Sequence, residues 1–185
     1  PTVLCFNKTD LADQAQEEAY RAVYRNTSYT VCFFSVQNRR GLEKVDALLE
    51  GKTTALAGPS GVGKSSLMNL LQPGADAETG SVSRKIQRGR HTTRHTEIFY
   101  LRRDTFLLDT PGFTSLYVEG LDCRELRDFF PEFQKPSEQC RFLDCVHVGE
   151  RDCGVKQAVK AGEISPERYA NYLQIYQELR DKKKW

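Results

Sequence analysis

Several things are scarce in this sequence. Its 185 residues include one methionine, one tryptophan and three histidines. No apolar run approaches the roughly 20 residues that a membrane-spanning helix needs, and the polar residues after the first short strand pattern predict no secretory signal. Expected besides are a cytoplasmic location, no membrane partner and a monomer. Charge of one sign is not in excess: the formal net charge is +2, which by itself selects no partner. Internal repeats are missing too, which excludes a solenoid. The sole methionine is Met68, so Pro1 reads as a processed or truncated edge. What remains is a globular composition, 39% hydrophobic and 28% charged. The length suits one domain, or one domain with a small satellite.

The chain contains six cysteines. Cys5 and Cys32 lie in apolar strand-like runs and read as reduced, buried small hydrophobes. Cys123 is isolated. Cys140, Cys145, His147 and Cys153 form C-x4-C-x-H-x5-C. Three thiolates and one imidazole make a closed set for structural zinc. The familiar C-x-x-C pairs are missing, so three buried thiols beside a surface histidine stay open as the alternative.

Strand and helix patterns alternate through the first two-thirds of the chain. Thr2–Phe6, Val31–Phe34 and Thr53–Ala57 read as strands; Leu11–Val23, Gly41–Leu49 and Ser65–Leu71 read as helices. Glu97–Leu101 and Thr105–Leu108 suggest a hairpin. This alternation predicts an α/β domain with a mostly parallel sheet. After about Tyr117 the pattern becomes helical, with helices over Leu121–Phe130, 154–161 and 166–182. Ser165 is placed to cap the last of these, with Pro166 at its first position. The expected domains are 1–118 and a small, mainly helical 119–185.

"GPSGVGKSS" fits G-x-x-x-x-G-K-[ST] between a strand and a helix. Backbone N–H groups of such a loop wrap phosphates, and the helix N-terminus favours negative charge. The candidate contacts are Gly58, Ser60, Gly61, Val62, Gly63, Lys64, Ser65 and Ser66. Lys64 faces the β- and γ-phosphates, and the Ser65 hydroxyl ligates Mg²⁺. "NKTD" reads the base: the Asp10 carboxylate can accept from the N1–H and the exocyclic amine of guanine, which adenine cannot match. The Lys8 stem lies along the base, and Asn7 ties this loop to the phosphate loop. Ser35 belongs to the loop after the second strand and joins the nucleotide set. "DTPG" places Asp109 for Mg²⁺ through water and the Gly112 N–H for the γ-phosphate. Thr92 or Thr93 completes the Mg²⁺ shell, the residues alone not deciding which. The alternatives, a chance glycine-rich turn and a simple Asp-Thr-Pro-Gly turn, do not account for all these parts together.

The base reader precedes the phosphate loop, the reverse of the usual order. All parts are nevertheless present, as if the common set had been cut open before the base-reading strand and rejoined. The domain thus reads as circularly permuted, which a sheet tolerates because its parts meet in space. The strand that the ordinary set places before N-K-x-D would precede Pro1. A glutamine that orients water in Ras-like enzymes is replaced by Phe113, and Gly61 stands where a K⁺-recruiting asparagine would be. His91 is the internal candidate for the catalytic role, against the alternative of a loop histidine touching RNA or solvent. Three readings follow: a GTP-hydrolysing switch, a non-catalytic GTP-sensing RNA-binding module, and an ATP-using P-loop enzyme, against which Asn7–Asp10 argues.

The stretches "NKTDL", "GPSGVGKSSLMN", "GRHTTRHTE", "DTPGF", "CRFLDCVHVGERDCGVKQAV" and "GEISPERYANYL" together resemble the RsgA/YjeQ family of small-ribosomal-subunit-dependent GTPases. The resemblance covers essentially the whole chain, in family order. It implies a circularly permuted P-loop GTPase domain followed by a zinc domain, with Cys140, Cys145, His147 and Cys153 as zinc ligands. It implies GTP and GDP as ligands, Mg²⁺ with GTP, and the small (30S) ribosomal subunit and its rRNA as partners in late subunit assembly. It also points to the His91-Thr92-Thr93 segment as catalytically important. The family's N-terminal OB-fold has no counterpart in this chain. Residues 84–103 carry Arg84, Lys85, Arg88, Arg90, Arg94, Arg102 and Arg103 against Glu97 alone. Such a basic stretch suits RNA phosphates, with a solvated loop as the alternative.

Overall fold

The computed structural model describes residues 1–72, 97–109 and 120–182. Within them the elements are β1 (Val3–Phe6), α1 (Gln14–Val23), β2 (Thr30–Phe33), α2 (Leu42–Leu49), β3 (Thr53–Leu56), α3 (Lys64–Leu71), β4 (Glu97–Arg102), β5 (Thr105–Asp109), α4 (Gln134–Ser137), α5 (Gly154–Lys160) and α6 (Pro166–Lys182). Two compact units result. One comprises Pro1–Leu4, Asp13–Val31 and Tyr117–Trp185; the other comprises Cys5–Ala12 and Cys32–Leu116. The first 118 residues therefore contribute to both.

The fold is mixed α/β. β1 pairs with β2, and a separate three-stranded sheet has the order β3-β5-β4. β3 and β5 run parallel with Leu56 opposite Asp109, while β4 is antiparallel to β5 with Glu97 opposite Asp109. The β4–β5 connection turns at Arg103 and Asp104, which both adopt positive φ. In the second unit Phe34, Val45, Leu49, Leu67, Met68 and Leu107 are buried. Phe6 stacks on Phe33 at 4.9 Å, and the Phe34 N–H donates to the Phe6 carbonyl at 2.9 Å. Cys32 is buried as expected, but Cys5 is exposed. Successive side chains on a strand point to opposite faces, which puts Cys5 on the face opposite the Phe6 stack.

The C-terminal core gathers Leu126, Phe130, Phe133, Val155, Ala158, Ile164 and Tyr172. Tyr172 is fully buried, with ring centroids 5.1 Å from Phe130 and 4.9 Å from Phe133. The helix expected over Leu121–Phe130 is instead a 3-10 turn at Glu125–Phe129, followed by another at Pro131–Phe133. Pro131 explains the break: it disfavours helical backbone at the residue before it, and Phe130 sits at φ −111°, ψ 88°. α6 begins where Ser165 and Pro166 predict, with the Glu167 N–H on the Ser165 hydroxyl at 3.2 Å.

Gly154 opens α5 under tight constraint. A Cβ there would lie 2.1 Å from the Pro136 carbonyl oxygen and 2.9 Å from Gln139 Cβ. Backbone cannot yield as a flexible side chain would, so Gly154→Ala is expected to cost about 3 kcal/mol. Thermal unfolding of the variant checks this, and an unchanged Tm would refute it.

Candidate nucleotide site and metal centre

The phosphate loop runs from the end of β3 into α3. Gly61 and Gly63 adopt φ of 78° and 96°, where glycine is at home. A Cβ on Gly63 would also strike the Asn7 side-chain nitrogen at 2.3 Å. The motif's second glycine is thus required by both its dihedral and its neighbour. The Lys64 ammonium donates to the carbonyls of Gly58 at 2.7 Å and Pro59 at 3.0 Å. It is held over the loop by the loop's own backbone.

The base-reading loop meets this phosphate loop directly, although the sequence separates them by about 50 residues. Asn7 Nδ2 donates to the Val62 carbonyl at 2.9 Å, and Lys8 Nζ donates to the Gly61 carbonyl at 2.8 Å. Asn7 Oδ1 accepts the N–H groups of Lys8 at 2.8 Å and Val36 at 3.2 Å. One side chain therefore ties together three loops. Lys8 adopts φ 66°, which turns the chain sharply between Asn7 and Thr9.

Ser35 is fully buried and donates its hydroxyl to Asp10 Oδ1. The Asn38 N–H reaches the same hydroxyl at 3.4 Å. Ser35 thus fixes the direction of the carboxylate that would face a base. Removing it leaves Asp10 free to rotate. Ser35→Ala is expected to weaken GDP binding about 5- to 20-fold, read by calorimetry; wild-type affinity would refute the role.

β3 and β5 are parallel, so Leu56, just before the phosphate loop, and Asp109 end at the same edge of the sheet. β4 starts at that edge too, with Glu97 opposite Asp109. In an α/β sheet, ligands gather at the carboxyl ends of parallel strands. Asp109 is placed there by its backbone. His91, Thr92, Thr93 and Gly112 lie outside the described residues, as does most of the basic stretch 84–103. Within that stretch Arg102 forms an ion pair with Asp46.

Cys140, Cys145, His147 and Cys153 bring their ligand atoms within 4.8 Å of one another. All but Cys140 are buried. Cys140 Sγ lies 3.9 Å from Cys153 Sγ, and His147 Nδ1 lies 3.6 and 3.4 Å from these two sulfurs. A zinc tetrahedron with ordinary bond lengths has S···S edges of about 3.8 Å and S···N edges of about 3.6 Å. The donor set and its spacing fit that ion. Burial pushes the Cys145 thiol up to about 12 and raises Cys153 as well, so both favour the neutral thiol without a cation. Burial also lowers the His147 imidazole, keeping it in the neutral form that can coordinate.

The backbone around His147 is held by residues other than the four ligands. The Glu150 carboxylate accepts the N–H of Val146 at 2.7 Å and of Val148 at 2.8 Å. Burial tends to raise the Glu150 carboxyl, but these donors and its own N–H outweigh that and hold it below the usual range. From α6, the Tyr169 hydroxyl donates to the His147 carbonyl at 2.7 Å and the Tyr172 hydroxyl to the Val146 carbonyl at 2.6 Å. His147 Nε2 meets the Ser137 hydroxyl at 3.2 Å. These supporting residues were not read from the sequence. The spacing of Tyr169, Tyr172 and Tyr176 on one helix face was the signal that could have found two of them.

Comparison with known proteins shows the family of the chain. The family model described as RsgA GTPase matches residues 1–119. A protein of Agathobacter rectalis named Small ribosomal subunit biogenesis GTPase RsgA is 44% identical over 185 residues, covering 100% of this chain and 61% of that protein. Its namesake in Thermotoga petrophila is 42% identical over 185 residues, covering 99% and 62%. The crystal structure of YjeQ from Thermotoga maritima superposes with a TM-score of 0.79 at 36% identity, over 96% of this chain and 59% of that one. YloQ, described as a circularly permuted GTPase, gives 0.76 at 34% identity, over 97% and 57%. The chain spans about three-fifths of the length of the curated relatives it matches. With base reader and phosphate loop joined in reversed order, and with a family model that covers both, this chain belongs to the RsgA GTPase family and has the fold of a circularly permuted GTPase.

Proposed function

We propose that this chain binds GTP and hydrolyses it to GDP and phosphate, and that it serves late assembly of the small (30S) ribosomal subunit. The carrying observation is the pair of bonds from Asn7 to Val62 and from Lys8 to Gly61, which join a guanine-reading loop to a phosphate loop. In this reading residues 1–118 carry the nucleotide chemistry and 119–185 the zinc. The relatives' name, Small ribosomal subunit biogenesis GTPase, supports the ribosomal partner.

Each group has a role in the reading. Asp10, aimed by Ser35, accepts from guanine. The N–H groups of Ser60 to Ser66 surround the phosphates. Lys64 leaves its carbonyls for the β- and γ-oxygens, exchanging neutral acceptors for charged ones. Ser65, Asp109 and one of Thr92 and Thr93 hold Mg²⁺; these hard oxygen donors suit it, and it neutralises charge on the β- and γ-phosphates. The Gly112 N–H meets the γ-phosphate. His91 orients the attacking water, since Phe113 cannot. Zinc on Cys140, Cys145, His147 and Cys153 is structural, because four protein ligands leave no place for water. The basic stretch touches rRNA phosphates. We further propose a cytoplasmic monomer acting off the membrane; among the described residues, no helix is long and apolar enough to cross one.

The test is GTP turnover with and without purified small ribosomal subunits, with large subunits as control. Stimulation by the small subunit alone is expected, and His91→Ala should abolish it while GTP still binds. Binding without any stimulation would favour a non-catalytic GTP sensor.

A further inference from the structure

His147 is buried, and buried ring nitrogens need partners. Its two nitrogens meet different groups. Nδ1 lies 3.4 Å from Cys153 Sγ and 3.6 Å from Cys140 Sγ. Nε2 lies 3.2 Å from the Ser137 hydroxyl.

The serine decides which nitrogen carries the proton. A hydroxyl has one hydrogen to donate and two lone pairs that accept. Ser137 ends α4, four residues after Phe133, and its hydroxyl donates to the Phe133 carbonyl at 2.7 Å. Serine makes this back-bond readily within a helical turn. The one hydrogen is thereby used, and only a lone pair remains for His147. Nε2 is then the N–H that donates. In a neutral imidazole the other nitrogen accepts, so the lone pair of Nδ1 is left for the thiol cluster.

Other contacts place the ring without choosing its tautomer. It packs edge-on against Phe133, with centroids 5.7 Å apart. The Tyr169 hydroxyl holds the His147 carbonyl, and the Glu150 carboxylate holds the N–H groups of Val146 and Val148. None of these bonds involves a ring nitrogen. The Ser137 carbonyl also accepts the Cys140 N–H at 3.0 Å, so the residue that meets one ligand starts the turn that carries another.

We propose that Ser137 is a positioning residue for the metal centre: it fixes the His147 tautomer with the proton on Nε2, so that His147 coordinates zinc through Nδ1. The inference rests on the zinc reading given above. A hydrogen bond at the far nitrogen orients a ligating histidine and raises its basicity, and losing that bond weakens metal binding. Coordination through Nε2 would require the ring to turn, which breaks the Ser137 bond and takes Nδ1 away from the sulfurs.

The experiment uses zinc as the probe and the chain with ¹⁵N in its histidines. The chain has three histidines, and the variant His91→Gln, His95→Gln leaves only the signals of His147. Long-range ¹⁵N–¹H NMR of the zinc-loaded protein reads each ring nitrogen. A metal-bound Nδ1 and a protonated Nε2 are expected; metal on Nε2 would overturn the proposal. Zinc affinity is then measured by competition with a chromophoric chelator. Ser137→Ala should bind zinc about 10- to 100-fold more weakly. Ser137→Thr keeps a hydroxyl and should bind nearly as tightly as the unsubstituted chain. Unchanged affinity in Ser137→Ala would overturn the proposal, as would an equal loss in both variants, which marks packing rather than the hydrogen bond. Should Ser137→Ala fail to fold, the nitrogen assignment in the serine-containing chain decides alone. A chain that binds no zinc would overturn the zinc reading and this proposal with it, whereas zinc held through Nε2 leaves that reading standing.

Discussion

Lys64→Ala is expected to lower GTP affinity by about 10²- to 10⁴-fold, from the loss of roughly two charge-assisted hydrogen bonds of about 1.5–3 kcal/mol each. The ammonium rests on the carbonyls of Gly58 and Pro59. Those acceptors are neutral, so a triphosphate outbids them, and the side chain swings only a short way to reach it. The same geometry says that stability should hardly change. The group that is lost bonds only to the loop's own backbone, at Gly58 and Pro59, and the loop's shape comes from Gly61, Gly63 and the Asn7 bond to Val62. A large loss of affinity with an unchanged Tm is therefore the signature. Lys64→Arg should not restore binding, because a planar fork does not fit where a compact ammonium sits. Calorimetry with GTP and Mg²⁺ reads all of this. GTP affinity within a few-fold of wild type would mean that Lys64 does not meet phosphate.

With zinc on the Cys140, Cys145, His147 and Cys153 cluster, as proposed above, removing the ion should have an equally large effect on a different part of the molecule. Apparent binding energies of structural zinc run to about 10–16 kcal/mol in small zinc domains, against a typical domain stability of about 5–15 kcal/mol. Cys153→Ser, or a strong chelator, is expected to unfold the C-terminal segment. The ligands stand inside the core rather than beside it. Cys145 and Cys153 belong to the same buried cluster as Phe133, Val155 and Tyr172, and the Gly154 N–H donates to Cys140 Sγ at 3.3 Å. The His147 ring packs edge-on to Phe133 at 5.7 Å. Without the ion, buried thiols with raised pKa become neutral, and the Tyr169 and Tyr172 bonds hold a turn that has lost its centre. Far-UV circular dichroism and thermal unfolding, before and after chelation and again after zinc is restored, give the answer. A fully folded, unshifted protein without zinc would contradict it.

Much of this was legible in the sequence, for a reason that differs by site. The shape of the Gly58–Lys64 loop could be read because only glycine permits its backbone; Gly63 shows it, with positive φ and the Asn7 side-chain nitrogen where a Cβ would stand. The permutation was legible because N-K-x-D and G-x-x-x-x-G-K-S each announce themselves locally, whatever their order. α6 could be placed to the residue because Ser165 and Pro166 signal a helix start without tertiary help. Contacts made across long separations were not legible. Nothing in the sequence joins Arg168 to Glu132, Tyr169 to the His147 carbonyl, or Asn26 to Glu163. The grouping of Asp13–Val31 with the C-terminal unit depends on contacts of that kind, whereas sequence reading follows chain order. The break near Phe130 was missed for a local cause: a helical pattern of apolar residues outweighed the veto of Pro131.

The central claim is a guanine-specific site that consumes GTP, and its most direct measurement is phosphate release by this chain from GTP and from ATP, with Mg²⁺ and with each nucleotide as competitor of the other. The expected result is turnover of GTP that excess ATP does not suppress, and no turnover of ATP. Equal use of the two nucleotides, or suppression of GTP turnover by ATP, would contradict the role of Asp10 and with it the account of the site.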